Sequence, residues 1–248
     1  MKSRRARSPR RPKLSSRLFK IVPSLLLGGA LLLLAGPRTI AAWSGLEALP
    51  AFENLWAGKT PTDGELSMAA SGLTRAVAAA PSGEKLVDLG AVELLQAFAP
   101  DLDKAQRAGL LARSEQHVTE GLVANPTHAF GWLKLAEARI ARGAGGRDVA
   151  AVLMHSVDVA PYMRLAWIPR TRLLLRYWRS LEGDELPSFI AQLRTIWSAT
   201  PAYRSKLIET AIEVDEMEIV AAAIAEPPPT ADALKEIQTR QALRGRPR

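Results

Sequence analysis

The side chains best suited to metal or nucleophilic chemistry are sparse in this chain. His117, His128 and His155 are its only imidazoles, and it has no cysteine. Each histidine is isolated, and none has a second histidine or a carboxylate at zinc-ligand spacing with supporting context, so the pattern predicts surface or packing roles and no metal site. Lack of cysteine excludes disulfides, thiol nucleophiles and cysteine-ligated metals. No serine sits in a nucleophile-elbow pattern. The run Gly143-Ala144-Gly145-Gly146 follows a helical pattern, not a strand, and no Lys-Ser or Lys-Thr pair closes it, so it is not a phosphate loop. Carboxylates pair at Asp101/Asp103 and gather at Glu213, Asp215, Glu216 and Glu218. Glycoside hydrolysis needs two carboxylates facing each other across a cleft, which closeness in sequence does not supply. The second cluster reads as a solvated turn between helices. The expectation is no catalytic residue, no cofactor and no bound metal.

The stretch with most chemical potential is YMRLAWIPRTRLLLRYWRSL, residues 162–181. After Pro169, Arg172, Arg176 and Arg179 recur at i, i+4 and i+7, which puts them on one helix face, with Tyr177 placed to flank them. Guanidinium groups offer planar, paired donors to carboxylates, phosphates or anionic sugars. The competing reading is an exposed helix whose arginines pair with Glu182, Asp184 or other nearby acids.

The elements that must position these residues are helical. From 125 to 161, Trp132, Leu135, Ala136 and Ile140 recur at spacings of three and four, and Val149, Val152, Leu153, Ser156, Val157 and Ala160 do the same. The glycine-rich run lies between the two stripes, and Pro126 and Pro161 bound the pair. This predicts a helical hairpin with an apolar face that one hairpin cannot bury. The helix-ending prolines Pro81, Pro126, Pro161 and Pro201 stand 45, 35 and 40 residues apart, a period suited to stacked hairpins. Further helices are expected over 62–80, opened by a Thr62/Glu65 capping box, over 83–99, over 101–124 capped at Asp101, over 162–181 and 185–200, and over 202–215 and 217–225. No stretch alternates with period two, so almost no strand is expected.

In the 125–161 unit, Trp132, Leu135, Ala136, Gly143 eleven residues after the tryptophan, the small Ala150 and the closing Pro161 resemble the tetratricopeptide-repeat pattern. The resemblance implies an all-α fold, a TPR-like superhelix of stacked helical hairpins. Its signature positions, Trp132, Leu135, Ala136, Gly143 and Pro161, are packing positions, so it carries over no catalytic residue.

The N-terminus carries a different signal. The chain has 248 residues and a formal net charge of +8, yet residues 1–20 hold nine Lys and Arg and no acid, which leaves about −1 for the remainder. The high pI of about 10.1 therefore does not mark a basic folded surface, and no nucleic-acid partner is expected. Residues 21–36 form an uncharged run of sixteen, followed by Trp43 as an interfacial aromatic. An uncleaved single-pass anchor is favoured over a cleaved signal peptide because the small-residue cleavage pattern is poor and Pro37 lies close by. The basic side stays cytoplasmic. Residues 43–56 carry Trp43, Leu46, Leu49, Phe52, Leu55 and Trp56 at helical spacing, a stripe expected to pack the anchor onto the domain.

The expected organisation is a basic cytoplasmic tail (1–20), a transmembrane anchor (21–42), a TPR-like helical repeat domain (43–226), and a proline linker, short helix and basic tail (227–248). The expected location is a bacterial inner membrane, with the helical domain periplasmic. The layout is similar to anchored accessory proteins of exopolysaccharide and O-antigen assembly. That similarity implies a non-enzymatic scaffold or adaptor in cell-envelope polysaccharide biosynthesis or export, with envelope-assembly proteins as partners. The alternatives are a periplasmic adaptor or chaperone for cytochrome maturation or secretion, and an enzyme acting on envelope glycans.

Overall fold

The computed structural model describes residues 14–225, together with positions 236 and 239. Of the expected basic tail (1–20), residues 1–13 lie outside the described residues and 14–20 belong to the first helix, and the expected proline linker, short helix and basic tail (227–248) fall almost entirely outside the described residues. The protein is all-α, 82% helical, with no strand among the described residues.

The helices, in order, are α1 (Leu14–Gly45), a 3₁₀ turn (Leu46–Ala48), α2 (Leu49–Trp56), α3 (Asp63–Ala79), α4 (Gly83–Gln96) and α5 (Lys104–Ala124). These are followed by α6 (Ala129–Ala141), α7 (Gly146–Val159), α8 (Arg164–Tyr177), a second 3₁₀ turn (Trp178–Ser180), α9 (Glu185–Ala199), α10 (Pro201–Glu213) and α11 (Met217–Ile224). Punctuation explains the boundaries. Thr62 Oγ1 accepts from the Glu65 N–H while the Glu65 carboxylate accepts from the Thr62 N–H, the expected capping box at the head of α3. The cap of α5 is Asp103, not Asp101, because only Asp103 has an acceptor residue three positions on: its carboxylate takes the Gln106 N–H at 2.7 Å and Gln106 returns the bond. At the end of α6, Gly143 has φ +80°; its N–H reaches Ile140 O and that of Ala144 reaches Arg139 O, a Schellman closure that needs the left-handed conformation glycine adopts freely.

Sequence neighbours pack as pairs, α4 on α5 and α6 on α7, and helices two apart also touch: α4 with α6, α6 with α8, α8 with α10, α7 with α9 and α9 with α11. One apolar core runs from Val118 and Leu122 of α5 through Leu153, Trp167, Leu174, Trp178 and Phe189 to Ile219 of α11. A smaller one joins Ala48, Ala51, Leu66, Ala69 and Leu73 to Leu89 and Val92.

Two details recur between hairpins. Trp132 Nε1 donates to Pro126 O at 2.8 Å, and Trp167 Nε1 donates to Pro161 O at 2.7 Å. These pairs lie 35 residues apart in sequence. Likewise Ser114 of α5 donates to Gly90 O of α4 at 2.7 Å, and Ser156 of α7 donates to Ala129 O of α6 at 2.8 Å. The α4/α5 pair is the tightest: a methyl group added at Gly121 would sit 2.7 Å from Gly83 O, and one at Gly90 would sit 2.6 Å from Val118 Cγ2.

The N-terminal helix departs from expectation in two ways. It runs unbroken through Pro23 and Pro37 to Gly45, which at 1.5 Å per residue is about 48 Å. It is the one helix among the described residues long and apolar enough to cross a membrane. Its packing face is also different from the stripe anticipated. Ala41, Ser44, Ala48 and Ala51 are buried, and a methyl group at Gly72 of α3 would meet Ser44 O at 2.5 Å. So close an approach admits only small side chains. Trp43, Leu46 and Leu49 therefore face outward, exposed at 76%, 52% and 41%.

Candidate functional site

Arg172, Arg176 and Arg179 do not form one open cationic face. Helix α8 holds Arg172 and Arg176 one turn apart, but it gives way to a 3₁₀ turn at Trp178, which rotates Arg179 out of line. Arg172 Nη2 pairs with Glu213 Oε2 at 2.9 Å. Arg179 Nη2 pairs with Glu216 Oε1 at 2.6 Å, and its guanidinium lies 5.2 Å over the Trp178 ring. The partners differ from the acids anticipated, since Glu182 instead meets Arg147 at 3.3 Å. Tyr177 is half-buried among core residues, and its ring edge would touch a methyl group placed at Gly146 of α7, so it supports the α7–α8 contact and does not flank the arginines. Only Arg176 stays exposed with no ion pair among the described residues.

The acidic turn between α10 and α11 is the counterpart of these arginines. Glu216, expected to be solvated, is only 6% exposed, and it also accepts from Trp178 Nε1 at 3.0 Å. Asp215 before it adopts φ +58°, and the N–H groups of Asp215 and Glu216 close the end of α10 on Ile212 O and Ala211 O. A non-glycine residue in that region stores strain, tolerated best by Asp and Asn.

Beside this cluster a groove of about 410 Å³ lies between α8 and α10, lined by Arg164, Leu165, Ile168, Pro169 and Arg172 on one side and Tyr203, Lys206, Glu209, Thr210 and Glu213 on the other. Arg164 rests 5.9 Å over Trp167 and Lys206 rests 6.0 Å over Tyr203, so both cations are backed by aromatic rings. Neither has a carboxylate partner among the described residues. With Leu165 84% exposed at its mouth, the groove combines apolar floor and unpaired cations. A second groove of about 640 Å³ lies where α3 and α5 diverge over the end of α4, lined by Leu66, Leu102, Leu110 and Gly109 with Asp63 and Arg113 at its edges.

Helix α8 also carries a residue that sequence reasoning passed over. Arg170 is fully buried, 35 positions after Leu135. Its guanidinium donates to Ser156 O, to Ala160 O and, at 3.3 Å, to Gln192 Oε1, so it caps the C-terminal end of α7, where backbone carbonyls lack helical partners. Burial pulls its pKa down to about 10, offset in part by the charge of Asp158. The offset of 35 from Leu135 was the signal that this position faces the core.

The three histidines have structural partners. His117 Nδ1 lies 2.7 Å from the buried Glu93 carboxylate, which also meets Arg113 Nε at 3.2 Å. His128 Nδ1 accepts from the Gly131 N–H and so caps α6. His155 packs edge-on against Trp132, with ring centroids 4.1 Å apart. Among the described residues no group of three His, Asp or Glu side chains is placed to hold a metal ion.

Fold and grooves together define an all-helical protein with one N-terminal helix long and apolar enough to cross a membrane. Comparison with family models, with curated proteins and with solved structures finds no match to this chain.

Proposed function

We propose that the protein is a single-pass, membrane-anchored scaffold that holds envelope-assembly proteins on a TPR-like array of helical hairpins, without catalysing a reaction. The observation that carries this reading is the repetition of one contact in successive hairpins. The indole-to-proline-carbonyl bonds of Trp132 and Trp167, 35 residues apart, close the same turn in the same way. Arrays of this kind present long surfaces to extended or helical peptides. The α8–α10 groove, with its apolar floor and the unpaired Arg164 and Lys206, is the surface best suited to a peptide that carries both apolar and acidic side chains. The similarity of layout to anchored accessory proteins of exopolysaccharide and O-antigen assembly supports envelope polysaccharide biosynthesis or export as the process. The basic run before the anchor supports a cytoplasmic N-terminus and a periplasmic array.

A photo-crosslinking residue in place of Lys206 tests this in intact cells. The expected product is a covalent complex with a polysaccharide polymerase, co-polymerase or export component, together with altered surface polysaccharide when the gene is deleted. Crosslinking to apocytochrome or secretion components, or unchanged polysaccharide in the deletion strain, contradicts the assignment.

A further inference from the structure

We infer that the helical array rests on the membrane: its proline-bearing edge lies against the surface of the bilayer that α1 crosses, with Val123, Tyr162 and Leu165 set into the headgroup layer. The inference rests on the membrane-anchored reading above.

The height of that edge follows from the packing of α3. Glu65 accepts from Asn54 while Arg75 pairs with Glu47, so α3 runs antiparallel to the helical stretch before it and back toward the membrane. A methyl group at Gly72 would meet Ser44 O at 2.5 Å and Glu47 Cβ at 2.8 Å, which fixes the two helices side by side at that level. Ala80, at the end of α3, is about eight residues or 12 Å beyond Gly72. That brings it level with Pro37 and Arg38. Arg38 is the first charge after Lys20, so it marks the headgroup boundary of the span. The turn at Pro81 therefore meets the bilayer surface.

The edge continues from that turn through direct contacts. A methyl group at Gly83 would meet Gly121 O and Asn125 Cβ, and one at Gly131 would meet Leu122 Cδ2. Ser156 donates to Ala129 O, Arg170 donates to Ala160 O, and Trp167 packs edge-on against Tyr203. These contacts gather the heads of α4, α6, α8 and α10, the ends of α5 and α7, and the turns at Pro81, Pro126, Pro161 and Pro201 at one end of the array.

The surface of this edge suits lipid. Val123, Tyr162 and Leu165, at 81%, 77% and 84%, are the most exposed large apolar residues beyond α1 among the described residues, and all three belong to it. They are spread over successive hairpins and form no single compact patch, a distribution that matches a plane. Tyrosine, with its polar tip, is favoured at headgroup depth. Charge agrees with this placement. The turns over 80–84, 124–128, 160–164 and 200–204 hold one carboxylate, Glu84, against Arg164 and Arg204, whereas the turns at the opposite end expose Asp101, Asp103, Glu182, Asp184 and Asp215. Anionic headgroups thus meet the end with few acids. Leu165 also stands at the mouth of the α8–α10 groove, so the groove opens at the membrane.

The chain has no cysteine, so single cysteines can be labelled without background. Full-length protein with one cysteine, labelled with an environment-sensitive fluorophore, is reconstituted in vesicles of phosphatidylcholine and phosphatidylglycerol, with and without lipids that carry a doxyl quencher just below the headgroup. The vesicles are then washed with alkaline carbonate. Phe98 and Ile212, 66% and 64% exposed at the opposite end, supply the controls. The expected result is blue-shifted emission and loss of fluorescence to the quencher at Val123→Cys, Tyr162→Cys and Leu165→Cys, neither effect at Phe98→Cys or Ile212→Cys, and retention of all five after the wash. The vesicles hold no other protein, so quenching reports lipid and not a partner. Retention with quenching absent, confined to Val123→Cys, or equal at the controls overturns the docking and leaves the anchor standing. Release by carbonate overturns the anchor, and the docking with it.

Discussion

Replacing Gly121 with alanine tests whether close backbone packing of α4 on α5 holds the array together. Alanine is intrinsically the better helix former by about 1 kcal/mol, so the substitution would stabilise an isolated helix. In the folded protein the new methyl group would meet Gly83 O at 2.7 Å, Val87 Cγ2 at 2.9 Å and Val87 N at 3.0 Å. Two of the three are backbone atoms, so the helices must separate by several tenths of an ångström to reach ordinary contact distance. Separation also stretches the neighbouring bond from Ser114 Oγ to Gly90 O, which joins buried groups at 2.7 Å. Overpacking of this kind costs about 1–3 kcal/mol and a strained buried hydrogen bond adds about 1 kcal/mol, so destabilisation outweighs propensity. In a domain of this size the melting temperature is expected to fall by roughly 3–10 °C. Gly109 supplies the control on the same helix: its added methyl group would meet only Arg113 Nη1, at 3.8 Å. Gly109→Ala is expected to raise the melting temperature by about 2–4 °C. The assay is thermal unfolding of the full chain in detergent, followed by circular dichroism. Equal shifts for both variants, or a more stable Gly121→Ala, would refute the close-packing argument.

Four further outcomes follow from the geometry. Asp215→Gly relieves the left-handed strain at φ +58° and is expected to stabilise by up to about 1 kcal/mol, while Asp215→Val destabilises, as read by urea midpoints. Glu216→Ala strips both Arg179 and Trp178 Nε1 of a buried acceptor and is expected to cost about 3 kcal/mol in the same measurement. Asp88 has its pKa raised from 3.8 to about 6, first by burial and then by Glu84. The native state therefore binds this proton more tightly than the unfolded state, and stability falls as pH rises from about 4 to 6; Asp88→Asn should flatten that slope and stabilise at pH 7 by at most about 3 kcal/mol, less for the group's partial exposure. Arg170→Ala removes the cap of α7 and leaves a void beside Ser156 and Gln192, so it is expected to destabilise by more than about 2 kcal/mol, whereas Arg176→Ala, at an exposed position, leaves the unfolding free energy within about 0.5 kcal/mol.

Most of the helical layout was legible because it is written locally. Prolines 81, 126 and 161 stand just beyond helix ends and Pro201 opens α10 at its first position, and the Thr62/Glu65 box and the Gly143 turn are fixed by residues within five positions of one another. Asp103 was misplaced by two positions although its partner, Gln106, stood in the sequence at the right spacing. Long-range facts were harder. Arg172 finds Glu213 forty-one positions away, and Trp178 finds Glu216 thirty-eight away, distances that no local pattern encodes. The 35-residue offset from Leu135 marked position 170, but arginine argued against burial, because it is almost never fully buried unless its donors are met; its terminal nitrogens donate to Ser156 O, Ala160 O and Gln192 Oε1, while its buried Nε has no partner among the described residues. The outward turn of Leu46 and Leu49 was missed for the opposite reason. Large apolar residues at helical spacing normally mark a buried face, but the contact of α1 with α3 is too close for them, and the inner face went to Ala41, Ser44, Ala48 and Ala51.

The claim that α1 carries the helical array across a membrane is tested most directly by a topology reporter. Alkaline phosphatase, which is active only outside the cytoplasm, fused after Ala225 is predicted to be active in cells, and the same fusion with residues 21–36 deleted is predicted to be inactive. An inactive fusion on the complete chain, with a cytoplasmic reporter active at the same junction, would contradict the account.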